Sequence, residues 1–107
     1  MARPKRINLP FSFYHVTSRT NSGDKAFLFA KDEDKFLWYL ARYCRSFDIK
    51  VHAWCLMPTH FHLILETHEK PELSEFMRRL LTAYTVYFNR YHDRHGHLFQ
   101  GRFNSYI

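Results

Sequence analysis

Cysteine is scarce in this chain, with only Cys44 and Cys55 among 107 residues. Both sit inside apolar patterns, and neither a disulfide framework nor a CxxC pair can be drawn from them. Long hydrophobic runs are also missing. None reaches the ~18 residues that a membrane helix needs, and the N-terminus has no apolar core of a signal peptide. These absences point to a reduced, cytoplasmic protein with no membrane partner. Internal repeats, low-complexity tracts and interdomain linkers are lacking too, so residues 1–107 read as a single domain. A chain of this length buries about two thirds of its unfolded surface, enough for one core.

Acids are few and unevenly placed. Sixteen Lys and Arg face ten Asp and Glu, a net charge of +6, and the pI is near 9.6. Between Arg78 and Ile107 stand Arg78, Arg79, Arg90, Arg94 and Arg102 with one acid, Asp93. Arg3, Lys5 and Arg6 add charge at the start. The acids gather at Asp32, Glu33 and Asp34 and at Glu66, Glu69, Glu72 and Glu75. Segregation of this kind favours a polyanion-binding face over an evenly solvated shell, and nucleic acid is the usual polyanion.

The apolar periodicity gives six elements. Phe13 to Ser18 is β-branched and aromatic and reads as a strand. Lys31 to Phe47 reads as a helix: Asp32, Glu33 and Asp34 occupy its first turn, where the helix dipole favours anions, and Phe36, Leu40, Tyr43, Cys44 and Phe47 share a face. Asp48 ends it. Ile49 to Met57 alternates as a strand, with Val51, Ala53, Cys55 and Met57 on one face and His52, Trp54 and Leu56 on the other. Pro58-Thr59 is a hairpin turn into a third strand, His60 to Thr67. A long helix follows from near Pro71 to about His92, with Leu73, Met77, Leu80, Tyr84, Tyr87 or Phe88, and Tyr91 as its buried stripe. Gly96 closes that region, and Phe103 to Ile107 begins a fourth strand. The order β-α-β-β-α-β predicts an α+β, ferredoxin-like antiparallel sheet with both helices on one face.

The third strand carries the chemistry. His60 and His62 point the same way, with Cα atoms roughly 6.6 Å apart. Two imidazoles so placed can share a metal ion, or can simply be exposed histidines. Phe61, Leu63 and Leu65 point into the core, so the pair belongs to the open face, with His15 and His52 as candidate neighbours. A zinc site of Cys55, His60 and His62 is the rival, but the parity of Cys55 with Val51 and Ala53 predicts a buried thiol. Trp54, expected to face outward near the histidines, is a candidate to stack an unpaired base. Arg78, Arg79, Arg90 and Arg102 are candidate phosphate contacts, although Arg78 or Arg79 can instead pair with Glu75.

Four blocks, Tyr14-His15-Val16-Thr17-Ser18-Arg19, Ala53 through Leu63, Tyr84 through Arg90, and Gly96-His97-Leu98-Phe99-Gln100-Gly101-Arg102-Phe103, resemble the single-tyrosine HUH transposases. The REP-associated tyrosine transposase branch is the nearest in pattern. The resemblance implies cleavage and rejoining of single-stranded DNA at hairpin-flanked sites. It further implies that His60 and His62 hold Mg²⁺ or Mn²⁺, that a tyrosine forms a covalent 5′-phosphotyrosine, and that Arg19 joins the DNA-contacting set. In the family that tyrosine, with a Gln or Asn one turn later as third ligand, lies on a helix after the strand that begins here near Phe103. The chain stops at Ile107, so both are expected to lie beyond it, and Tyr84, Tyr87 and Tyr106 do not match the position. Thr59 stands where the family usually has Asn, and Thr20 where it often has Gly, which would strain Thr20 if a positive φ were required.

Three functions follow as expectations. The first is an HUH-type transposase domain. The second is a catalytically inactive remnant that grips hairpin DNA. The third, ranked last, is a ferredoxin-like RNA-binding module, which would need aromatics where His60 and His62 stand. Trp54, Leu56 and Ile64 are expected to leave an apolar patch on the open face, making a homodimer possible.

Overall fold

The computed structural model describes residues 9–101 and 103–107, so Arg3, Lys5, Arg6 and Arg102 lie outside the described residues. The elements are β1 (Phe13–Arg19), α1 (Ala30–Phe47), β2 (Lys50–Met57), β3 (His60–Glu66), α2 (Leu73–Tyr91) and β4 (Asn104–Tyr106). The strands form one antiparallel sheet in the order β2-β3-β1-β4. The expected β-α-β-β-α-β architecture is the observed one. No helix among the described residues is long and apolar enough to cross a membrane.

Local chemistry sets the helix ends. The Asp32 carboxylate accepts the backbone N–H groups of Leu28 at 3.0 Å and Phe29 at 3.1 Å, closing the start of α1. Asp48 ends α1 in the left-handed region, at φ 51° and ψ 48°, which a short polar side chain tolerates. β3 alternates cleanly. Phe61, Leu63 and Leu65 are wholly buried, whereas His60, His62, Ile64 and Glu66 are half-buried on the other side. Each of the three buried side chains contributes about 2 kcal/mol by removal from water. They pack under Phe36, Leu40 and Cys44 of α1 and Phe76, Met77, Leu80, Tyr84 and Phe88 of α2. The Phe36 and Phe61 rings lie 5.0 Å apart at the centre of this layer. Phe88, not Tyr87, continues the α2 stripe, Phe76 joins it, and Tyr91 is exposed.

The alternation expected for β2 is overturned by a bulge. Val51 opposes Leu65 and Ala53 opposes Ile64, so His52 is an extra residue between them. One inserted residue reverses the parity of all that follows. Trp54 and Leu56 therefore stand opposite Leu63 and Phe61, on the helix-bearing side, and Cys55 stands opposite His62 on the open side. Cys55 is exposed rather than buried. Of the expected open-face patch only Ile64 remains there. Thr20 is unstrained, with φ −72°.

Candidate functional site on the open sheet face

Cross-strand register assembles the open face from three strands around β3. His60 pairs with Arg19 of β1 and Met57 of β2; His62 pairs with Thr17 and Cys55; Ile64 pairs with His15 and Ala53. On the far edge, Tyr106 of β4 pairs with His15 and Asn104 with Thr17. Residues directly opposite in an antiparallel pair share a face, so all of these point away from the helices. Both strand ends are tied by backbone bonds: Thr20 N–H donates to Thr59 O at 2.9 Å, and Ala26 N–H to Pro58 O at 2.7 Å. The turn preceding His60 is thereby held against the end of β1.

The histidines form a contiguous group. The His60 and His62 rings are 5.2 Å apart and nearly perpendicular, at 84°. The His15 and His62 rings are also 5.2 Å apart but stacked, at 25°, and His15 Nε2 lies 3.0 Å from His62 Nδ1. Thr59 Oγ1 lies 3.4 Å from His60 Nδ1, the outer limit of a hydrogen bond. Burial first, and then the neighbouring His15 and His60, push the His62 imidazole below its ordinary pKa. The neutral ring, the form that binds metals, is thereby favoured. Among the described residues no three His, Cys, Asp or Glu side chains are grouped to hold a metal ion. His60 and His62 therefore stand as a pair of neighbouring imidazoles on the open face. His52 is occupied elsewhere, bonded to Glu66 Oε1 at 2.7 Å.

The remaining sequence candidates scatter. Arg19 is exposed, on the same face as His60. Trp54 is 54% exposed but on the opposite side of the sheet from the histidines, so the expectation that it lies near them is not met. Arg78 and Arg79 both pair with Glu75: Arg78 Nε donates at 2.9 Å, with a second shorter bond from its Nη2, and Arg79 Nε donates at 3.2 Å. These bonds hold the Glu75 carboxyl down to about 2. Arg90 is exposed near the end of α2. A groove of about 620 Å³ between α2 and residues 97–101 and 103 is lined by Arg78 and His97 but by neither His60 nor His62.

The tyrosines divide by environment. Tyr84 is wholly buried, with its hydroxyl donating to Ala26 O at 2.5 Å, and burial raises its pKa strongly. Burial and the hydrogen bond to Asp32 raise that of Tyr87. Neither supplies a phenolate readily. Tyr106 is 61% exposed on the histidine face, its ring 6.4 Å from that of His15. Sequence reasoning placed His15 on the open face but missed its bond to His62. The β1–β3 register is the signal that carries it.

Solved structures resemble this fold, two transposases among them. The REP-associated tyrosine transposase bound to a REP hairpin superposes with a TM-score of 0.77 at 16% identity, covering 99% of this chain and 61% of that one. A candidate transposase from Deinococcus radiodurans R1 superposes with a TM-score of 0.73, also at 16% identity, covering 100% of this chain and 84% of that one. The chain thus spans about three fifths of the length of the first. Likeness at this identity establishes the shared fold. A comparison with curated proteins finds no significant match. The model of the family described as "Transposase IS200 like" matches residues 12–107, nearly the whole chain, and the chain therefore belongs to the IS200-like transposase family.

Proposed function

We propose that this transposase domain acts on single-stranded DNA at hairpin-flanked sites by HUH chemistry, with His60 and His62 holding Mg²⁺ or Mn²⁺. The observation that carries the reading is the pair of half-buried imidazoles on one open sheet face, their rings 5.2 Å apart. Two imidazoles supply two positions of a divalent cation. Water and phosphate oxygens, the donors that Mg²⁺ and Mn²⁺ favour, complete such a site. When bound, the cation supplies Lewis acidity at the scissile phosphate. His60 and His62 orient it, and Arg19, opposite His60, offers a positive charge to the DNA backbone. The reaction is transesterification: a tyrosine oxygen attacks phosphorus, the 3′-oxygen leaves, and the 5′-phosphate stays on the tyrosine until the strand is rejoined. Hairpin DNA is the proposed partner because the similar REP-associated transposase is bound to a REP hairpin.

A second reading, a DNA-gripping module without chemistry, is favoured by one observation. Tyr84 and Tyr87, the tyrosines of the third sequence block, are committed to the core and to Asp32. One experiment separates the two. The protein, in the longest form its gene encodes, is incubated with Mn²⁺ and a labelled single strand bearing a hairpin, and denaturing gels are read for a covalent adduct. An adduct that requires Mn²⁺ and is lost in His60→Ala supports the transposase chemistry. Undiminished cleavage by His60→Ala overturns the metal assignment. Salt-sensitive binding with no adduct selects the gripping module.

A further inference from the structure

A divalent cation needs an imidazole nitrogen with a bare lone pair, and a neutral histidine has only one. Which nitrogen that is depends on what the other one meets. For His62 the neighbour of Nδ1 is His15 Nε2, 3.0 Å away. One proton lies between those two nitrogens, and there are two ways to place it. If His15 donates, His62 carries its own proton on Nε2 and has no lone pair left to offer. If His62 Nδ1–H donates to His15 Nε2, the His62 Nε2 lone pair is bare.

We propose that His15 is a positioning residue that accepts the Nδ1 proton of His62 and so fixes the His62 tautomer with Nε2 open for a divalent cation. The inference rests on the reading of His60 and His62 as metal ligands and adds the residue that prepares one of them. Three observations support it. The pairing is built into the sheet: His15 opposes Ile64 and Thr17 opposes His62, so His15 is the diagonal neighbour of His62 on the same face. The two rings are near parallel, at 25°, with centroids 5.2 Å apart, so the contact between the nitrogens runs close to both ring planes, as an N–H···N bond requires, and this bond limits rotation of the His62 ring about χ2. His60 has a matching partner at its own Nδ1, the Thr59 hydroxyl at 3.4 Å, so both rings can offer the same nitrogen, Nε2. Metal-bound histidines generally donate their second N–H to a carboxylate, backbone carbonyl or water, the place His15 takes here, and removal of such a partner typically weakens metal binding about 10–100-fold.

The test uses the 107-residue chain labelled with ¹⁵N-histidine, without metal, at a pH where imidazoles are neutral. Long-range ¹H–¹⁵N spectra read which His62 nitrogen bears the proton. The expected result is Nδ1 in the wild type and a shift toward Nε2 in His15→Phe, which keeps an aromatic ring at that position and removes the acceptor. Mn²⁺ titration followed by electron paramagnetic resonance is expected to show about 10–100-fold weaker binding in His15→Phe. His15→Gln, with an amide oxygen as acceptor, is expected to recover part of it. A purely structural role would move the unfolding midpoint and leave the tautomer in place. A wild-type His62 protonated on Nε2, or unchanged Mn²⁺ affinity in His15→Phe, overturns the proposal. If the wild type shows the Nδ1 proton but no Mn²⁺ binding, the metal reading falls and the His15–His62 pairing stands. If His15→Phe does not fold, the wild-type spectrum alone decides.

Discussion

Asp32 shows how one side chain can join two helices. Its residue is fully buried, and its carboxylate accepts the Leu28 and Phe29 N–H groups, the Tyr87 hydroxyl at 2.8 Å and His92 Nε2 at 2.9 Å. The first two bonds cap α1, and the last two reach from the end of α2. Burial alone would raise the pKa of this carboxyl, but the bonds from His92, Tyr87, Phe29 and Leu28 outweigh burial and hold it below its usual value of 3.8. Asp32→Ala leaves those donors buried without an acceptor and is expected to cost about 3 kcal/mol, read as a lower urea midpoint at pH 7. The pH dependence has a definite sign. The folded carboxyl binds its proton more weakly than the unfolded one, so its stabilisation is complete above pH about 4 and is lost as pH falls through the folded value. Urea midpoints at pH 7 and pH 3 are therefore expected to differ less in Asp32→Asn than in the wild type. An equal acid loss in both proteins would remove Asp32 from the account.

Element by element, legibility followed the range of the interaction. The face of α1 could be read because Phe36, Leu40 and Cys44 recur within one helix, and β3 because Phe61, Leu63 and Leu65 alternate within one strand. The parity of β2 could not be read past His52. A bulge adds a residue without changing the apolar composition, and only pairing with β3 reveals it. Asp32 was legible as an acid at a helix start, but its bonds to Tyr87 and His92 depend on packing across some sixty residues of sequence. The histidine pair was legible from its spacing, whereas the His15 contact needed the β1–β3 register. The bulge has a chemical readout. Cys55, turned to the open face, is exposed, whereas Cys44 is buried and its thiol is pushed up to about 11 by burial, partly opposed by Arg45. A disulfide reagent at pH 8 is expected to modify one thiol quickly and the other only on unfolding, and Cys55→Ser is expected to abolish the fast phase. Two slow thiols would restore the unbulged register.

At the scale of the whole molecule, the helices cover one face of the sheet and leave the other, which carries His15, His60 and His62, uncovered. That open face is not uniformly polar. Ile64 lies within it, and Phe13, Met57 and Tyr106 around it are 55%, 40% and 61% exposed. β2 and β4 are the sheet edges, and β4 is only three residues long. Apolar area of this kind favours association of copies, while the net charge of +6 opposes it. The two effects answer differently to salt. Screening weakens the repulsion between copies but leaves apolar contact intact, whereas phosphate contacts to DNA weaken as salt rises. Sedimentation velocity is therefore expected to show the mass rising above the 13.1 kDa of one chain with concentration, and more so at high salt than at low salt. Binding of a single-stranded oligonucleotide is expected to move the opposite way over the same salt range. Replacing Met57 and Tyr106 with lysine adds charge to the apolar rim and is expected to reduce self-association without weakening oligonucleotide binding. A constant mass of 13.1 kDa at every concentration and salt level would show that the charge prevails and that the open face meets solvent or DNA, not a second copy.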